Sequence, residues 1–430
     1  MKGPLWNVLP DGWLAGQVKN AATVTLGKML QSKDSGSDVR APYMRAANVQ
    51  PDGVLALDDV KEMWFGEDEL GQLSIRAGDV VVVEGGQGGF GRAAYVDQDL
   101  PGWGFQNSIN RLRPIGDFDG RFIAFYLIAL RASGFIRAYS NVVSMPHLTA
   151  EKLARIPIPL PPVGVQRAIA DYLDHETARI DTLIEEQQRL IEMLHERRRS
   201  VVQHAVAGSD RNDVCQTGDP WWPELPDDWT PVSLRRVLRG LADGPHFSPN
   251  YVDDGVMFLS ARNVKVDRWS LDDAKFVSEA DYLEFSKRVV PEPGDVLYTK
   301  GGTTGIARVV DLDFPFQVWV HVAVLKVRHD LVEPSFLAYA LNSGPCYDQS
   351  QLFTRGATNN DLGLTRIVNI VTPLPPLDEQ RRIVAYLDDE TAKIGALIAE
   401  TERFIELSRE RRSALITAAV TGQIDVRKAA

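Results

Sequence analysis

Two glycine-rich loops carry the side chains best suited to chemistry. Gly85-Gly-Gln-Gly-Gly-Phe-Gly91 holds Gln87, and Gly301-Gly-Thr-Thr-Gly305 holds Thr303 and Thr304 directly after Lys300. Arg92 and Arg308 close the two loops. Such side chains can reach base edges or phosphates, and glycine lets a backbone enter a groove closely. A second group precedes each Pro-Pro pair: Asn141 and His147 in one half, Arg355, Asn359 and Asn360 in the other. Asn can pair bidentately with adenine and Arg with guanine. At any single site, turn formation is the better explanation of the same residue types. Their duplication at matching positions is what points towards readout.

Catalytic constellations are missing from the sequence. It has no Gly-x-x-x-x-Gly-Lys-Ser/Thr loop, no H-E-x-x-H or Cys/His ligand spacing, and no G-x-S-x-G elbow. The Gly85 loop runs into Arg92-Ala-Ala-Tyr-Val96, a strand-like stretch, where a dinucleotide site requires a helix. Asp273-Ala-Lys275 imitates the tail of a nuclease motif but has no acidic partner at a suitable spacing. No catalytic or metal-ligating residue is therefore expected. Cys215 and Cys346 stand alone, and the longest apolar run, Phe122–Leu130, is too short to cross a bilayer. With no signal-like apolar stretch at the start, the expectation is a cytoplasmic chain away from membranes. Its net charge is −11, with 16 basic against 23 acidic residues between 209 and 376. An acidic chain is a poor non-specific ligand for nucleic acid, so positive charge must be local or come from a partner.

The elements that position these loops are written twice. Leu160-Pro-Pro-Val-Gly-Val-Gln-Arg-Ala-Ile-Ala-Asp-Tyr-Leu-Asp returns 214 residues later as Leu374-Pro-Pro-Leu-Asp-Glu-Gln-Arg-Arg-Ile-Val-Ala-Tyr-Leu-Asp. Leu9-Pro-Asp-Gly-Trp13 pairs with Leu225-Pro-Asp-Asp-Trp229, Asn48 with Asn263, and Gly78-Asp79 with Gly294-Asp295. Val80–Val83 and Val296–Tyr298 read as strands behind Gly-Asp turns, and Val318–Val327 as an alternating strand. Phe122–Leu130 and Phe336–Leu341 read as short buried helices. After each Pro-Pro pair a heptad pattern begins. Leu173, Ile180, Leu194 and Val201 fall on one seam position, with Ile169, Leu183 and Leu190 on the other. The second copy places Leu387, Ile394 and Leu415 against Ile383, Leu397 and Phe404, and Gln187 and Thr401 interrupt the seam. Arg197-Arg-Arg199 and Arg409, Arg411 and Arg412 read as solvated charge near helix ends.

The expected fold is α+β, with two globular domains of mixed or antiparallel sheet (1–162 and 209–376). Two long helices (163–208 and 377–430) join them as an antiparallel coiled coil, in a pseudo-two-fold internal repeat.

The repeated Pro373-Leu-Pro-Pro-Leu-Asp-Glu-Gln380 and Ile383-Val-Ala-Tyr-Leu-Asp388 signature resembles that of type I restriction–modification specificity subunits. The L-P-x-x-W openings and the G-D-V turns share the likeness, which spans the chain. That resemblance implies two target-recognition domains, each reading one half of a bipartite, asymmetric double-stranded DNA site, with the helices setting the gap. It further implies two methyltransferase subunits that bring S-adenosylmethionine, no cofactor on this chain, and two motor-nuclease subunits in a restriction complex. Partner contacts are expected at the helix starts, on Gln166, Arg167, Glu379, Gln380 and Arg381; the first copy departs there, with Gly164-Val165 in place of Asp378-Glu379. A methyltransferase-only or fused-nuclease system, or a protein-binding coiled-coil scaffold, remains open as an alternative.

Overall fold

Each half of the chain builds the same frame from the residues that recur in the sequence. The computed structural model describes residues 2–86, 89–140, 147–356 and 360–428. The chain divides into two units, Met1–Gln188 with Arg403–Ala430, and Arg189–Glu402. Each unit holds one α+β domain and a stretch of both long helices.

In the N-terminal unit an inner antiparallel sheet runs in the order Ala22–Leu26, Ile109–Pro114, Val80–Val83, Ala93–Tyr95. A second sheet runs Lys61–Phe65, Val39–Met44, Gly104–Phe105, its last pair parallel. The C-terminal unit repeats the inner sheet as Leu238–Asp243, Val322–Val327, Val296–Thr299, Ala307–Val309. Its second sheet runs Tyr251–Val252, Lys275–Val277, Val256–Leu259, Phe316–Val318, again with one parallel pair. The expected single strand Val318–Val327 is thus two strands in two sheets. A turn closed by Val322 N–H donating to Trp319 O separates them. All four residues of Val80–Val83 and of Val296–Thr299 are buried, because each sheet is covered on both faces. The helix Gly120–Ala132 covers one face, capped by the Asp119 carboxylate, which accepts from Arg121 N–H and Phe122 N–H.

The long helices span Val163–Val206 and Leu377–Val420, 44 residues each. In the N-terminal unit Ile169 and Leu173 share a core with Ile416, Ala419 and Val420, and further along Asp181 meets Arg412. In the C-terminal unit Leu194 packs with Ile394 and Ile398, and Val202, Ala205 and Val206 share a core with Leu387. In both units one helix is read upwards as the other is read downwards, so the pairing is antiparallel.

One seam position is as expected, and the other is not. Leu183 (39% exposed), Leu190 (36%), Leu397 (50%) and Phe404 (41%) face outwards. Thr177, Ile184, Thr391, Ile398 and Ile405 are buried in their place. Both registers satisfy the alternating spacing of three and four residues. The expected one would turn Glu176, Glu390 and Arg411 towards the partner helix, at a desolvation cost. The observed one turns in Thr177, whose hydroxyl donates to Leu173 O (2.7 Å), and Arg412, which is ion-paired.

The L-P-x-x-W openings close against the glycines that end the helices. Gly422 (φ 71) lies against Pro10 and Trp13, and Gly208 (φ 62) against Pro226 and Trp229. A Cβ would come within 2.3 Å and 2.6 Å of the two proline rings. Only glycine fits there.

Candidate nucleic-acid interface

A buried aspartate fixes the strand that leads into each glycine-rich loop. Asp79 accepts from Arg76 N–H (2.9 Å) and pairs with Arg113 (2.8 Å); Asp295 accepts from Glu292 N–H (2.7 Å) and pairs with Lys326 (2.7 Å). Asn48 and Asn263 fasten the neighbouring loops through equivalent bonds to Arg45 N–H and Ser260 N–H. The residues that recur in sequence are therefore those that hold the frame.

The two candidate reading segments of each half come together at the end of that strand. In the N-terminal unit Gly85 bridges His147, and Leu148 N–H donates to Glu84 O at 2.7 Å. In the C-terminal unit Gly301 bridges Asp361, and Leu362 N–H donates to Lys300 O at 2.7 Å. A Cβ at Gly85 would lie 2.8 Å from the His147 ring, and one at Gly301 2.0 Å from the His321 ring. The glycines permit this close approach.

The side chains at the staple exchange acid and base between the units. His147 Nδ1 lies 2.9 Å from Glu84, whereas Lys300 Nζ lies 3.1 Å from Asp361. Lys300 also reaches Asp243 (3.4 Å) and Val320 O (3.1 Å), and its side chain is only 5% exposed. Burial alone would raise the Asp243 pKa, but Arg288, Lys300 and His246 together hold it below the ordinary carboxylate range. Burial, reinforced by Lys300, pushes the His321 imidazole pKa down.

The candidate readers separate into two sets. His147, Thr303, Arg355 and Asn360 are exposed around the staples. Lys300 and Thr304, expected to project outwards, are buried; the Thr304 hydroxyl lies 3.2 Å from Gln351 Nε2 and 3.3 Å from the Thr354 hydroxyl. Arg92 turns to Val49 O (3.5 Å), and Arg308 stacks over the Trp269 ring (4.8 Å), where burial lowers its pKa. These arginines brace loops from within. Gln87, Asn141 and Asn359 lie outside the described residues. Glu84, Asp361, Asp243 and Arg288 were not singled out in the sequence. The signal for Glu84 and Asp361 was the exchanged charge at 84/300 and 147/361, visible once the halves are aligned. Exposed His246 and Arg288 join the C-terminal cluster through Asp243.

Of the residues expected to meet a partner at the helix starts, Gln166 and Gln380 are enclosed by the same packing. Gln166 is fully buried, its carbonyl accepting from Asp119 N–H (3.1 Å) and its amide donating to Pro161 O (2.8 Å). Gln380 repeats this with Glu333 N–H (2.8 Å), Pro375 O (2.8 Å) and Leu331 O (3.1 Å). Glu379 accepts from Trp229 Nε1 (3.1 Å) and pairs with Arg211 (3.0 Å). Val165, at the equivalent place, packs instead in the core that Trp13 lines. These residues dock each helix on its own domain; Arg167 and Arg381 remain exposed.

Among the described residues no group of His, Cys, Asp or Glu stands ready to hold a metal ion. No helix among them is long and apolar enough to cross a membrane.

Residues 10–193 and 264–406 match the family model described as the type I restriction modification DNA specificity domain. The type I restriction enzyme MjaVIII specificity subunit of Methanocaldococcus jannaschii is 24% identical over 310 residues, covering 70% of each chain. The EcoBI specificity subunit of Escherichia coli is 23% identical over 287 residues, 63% of this chain and 60% of that one. A chain from a structure described as the basis of complex assembly and conformational transition of the type I R-M system shares the fold. Its TM-score is 0.69 at 21% identity, over 97% of this chain and 100% of that chain.

Proposed function

Because the chain belongs to the type I restriction–modification DNA specificity family, we propose that it selects the DNA sequence for a methyltransferase assembly and does no chemistry itself. Residues 1–162 and 209–376 each read one half of a bipartite, asymmetric site, and the helical segments 163–208 and 377–430 set the distance between the halves. The observation that carries this reading is the duplicated staple. One backbone arrangement presents two different sets of polar side chains, as two different half-sites require. Gln87, Asn141 and His147 serve the first half-site, with Glu84 paired to His147. Thr303, Arg355, Asn359 and Asn360 serve the second, with Arg288.

Two methyltransferase subunits dock along the helices and supply S-adenosylmethionine together with much of the charge that holds DNA, since this chain carries −11. The outward positions Leu183, Leu190 and Met193 and their repeats Leu397, Phe404 and Leu407 are exposed apolar side chains in need of cover. With two motor-nuclease subunits the assembly restricts DNA; without them it methylates only. Such a complex works in the cytoplasm. The test is methylation of a random duplex library by the chain reconstituted with its methyltransferase subunits. A split motif with a fixed gap is expected, and methylation without a bipartite motif would overturn the assignment.

A further inference from the structure

Besides the hydrophobic core it shares with them, each recognition domain is tied to the long helices by polar contacts at two places. The first lies on the helix that follows it in the chain. Arg121 pairs with Asp171 and Asp174, both at 2.8 Å, and in the C-terminal unit the Tyr339 hydroxyl donates to Asp388 at 2.7 Å. Asp174 and Asp388 are equivalent positions of the repeat. The second lies on the other helix. Arg412 reaches the Asp52 carboxylate (3.5 Å), donates to Asp52 O (3.2 Å) and pairs with Asp181 (2.9 Å). Arg198, the repeat of Arg412, pairs with Asp267 (3.4 Å), the repeat of Asp52.

A polar tie on each helix, added to the shared core, restrains the tilt of a domain more closely than a tie on one helix alone. From this, and resting on the function proposed above, we infer that Arg412 and Arg198 are positioning residues that set the angle of each recognition domain on the helices, and hence the gap between half-sites. The Asp52 backbone supports the assignment. Among the described residues it is the non-glycine residue with positive φ (63°), a conformation that surrounding contacts must hold. Arg412 donates to the Asp52 carbonyl and forms an ion pair with the Asp52 carboxylate. The two clamps are unequal. The Arg412 side chain is 8% exposed and has Asp181 as a second partner, whereas Arg198 is 20% exposed and the repeat of Asp181 is Gly395.

The test measures methylation by the reconstituted complex on duplexes carrying the wild-type half-sites at gaps from two base pairs too short to two too long. Discrimination between the best gap and its neighbours is expected to fall about tenfold in Arg412→Ala and Asp52→Asn, the loss of roughly one directed interaction. Arg412→Lys should be intermediate, because an ammonium cannot span both carboxylates. Arg198→Ala should lose less than Arg412→Ala. Base preference within each half-site should be unchanged in all four. Asp52→Asn, on an exposed loop, keeps the test open if the arginine variants fail to fold. An unchanged gap profile in Asp52→Asn, or half-site preferences that relax in step with the gap, would overturn the inference. Failure of the wild-type complex to show a bipartite motif would instead overturn the parent function.

Discussion

At the N-terminal reading edge the acid, Glu84, sits at the strand end and the base, His147, on the incoming segment; at the C-terminal edge Lys300 and Asp361 hold the reverse order. The backbone beneath them is the same. Glu84 N–H donates to Ser108 O and Lys300 N–H to His321 O, both at 2.8 Å. Polarity can invert because the staple is made by main-chain bonds that do not depend on the side chains. Burial follows the repeat: the strand-end residues Glu84 (14% exposed) and Lys300 (5%) are enclosed, and the incoming His147 (48%) and Asp361 (52%) are half exposed. What differs is the partners, since Glu84 pairs with His147 whereas Lys300 lies between two carboxylates, Asp243 and Asp361. The strand-end position therefore braces, most strongly at Lys300, and the incoming position faces outwards.

Lys300 is where that contrast should break most sharply. In Lys300→Ala the nearly enclosed Asp243 loses one of its cations, and the C-terminal unit should lose about 3 kcal/mol in urea unfolding. His147→Ala removes an exposed partner and should cost less than about 1 kcal/mol. Equal losses would remove the distinction between reader and brace. The glutamine staples come next. Gln380→Ala and Gln166→Ala each strand a buried backbone N–H, costing about 1–3 kcal/mol, with Gln380 the larger because it makes three bonds. Lost methyltransferase binding at unchanged stability would return these residues to a partner interface. A smaller effect on folding, under about 1 kcal/mol, is expected when Glu84→Lys and His147→Asp are combined to import the C-terminal polarity. The motif recovered from a methylated library should change in the first half-site only. An unaltered motif would show that the pair does not read DNA.

The frame was legible in the sequence because it recurs there. The Gly-Asp turns, the L-P-x-x-W openings, the paired hairpin loops and the helices after each Pro-Pro all have local causes: fixed backbone angles, chain breakers, and strand or heptad spacing. The side-chain roles were less legible. Whether Leu183 or Ile184 enters the seam depends on the polar residues that each register would bury, which periodicity does not weigh. Lys300 looked like an exposed reader because its partners Asp243 and Asp361 lie 57 and 61 positions away in sequence. Arg412 looked like solvated charge for the same reason, since its partner Asp52 lies in the other half of the chain.

The mildest test follows from Ser108 and His321, which occupy the same place in the two staples. Burial and the Lys300 ammonium lower the folded-state pKa of His321, with Asp361 opposing them in part. As pH falls below the unfolded value of about 6.5, the unfolded chain therefore takes up a proton that the folded edge resists. Stability should decline from that point downwards until the folded pKa is reached, and be flat above it. Asp243 does not contribute over this interval. Its lowered pKa gives stability that is present above the ordinary carboxylate value and is lost only as pH falls through the folded one. Urea midpoints for the C-terminal unit should accordingly drop between pH 7.5 and 5.5. His321→Ser, which imports the N-terminal residue, should reduce that drop. A variant with the same pH dependence as wild type would place the titrating group elsewhere and leave the two staples alike in this respect.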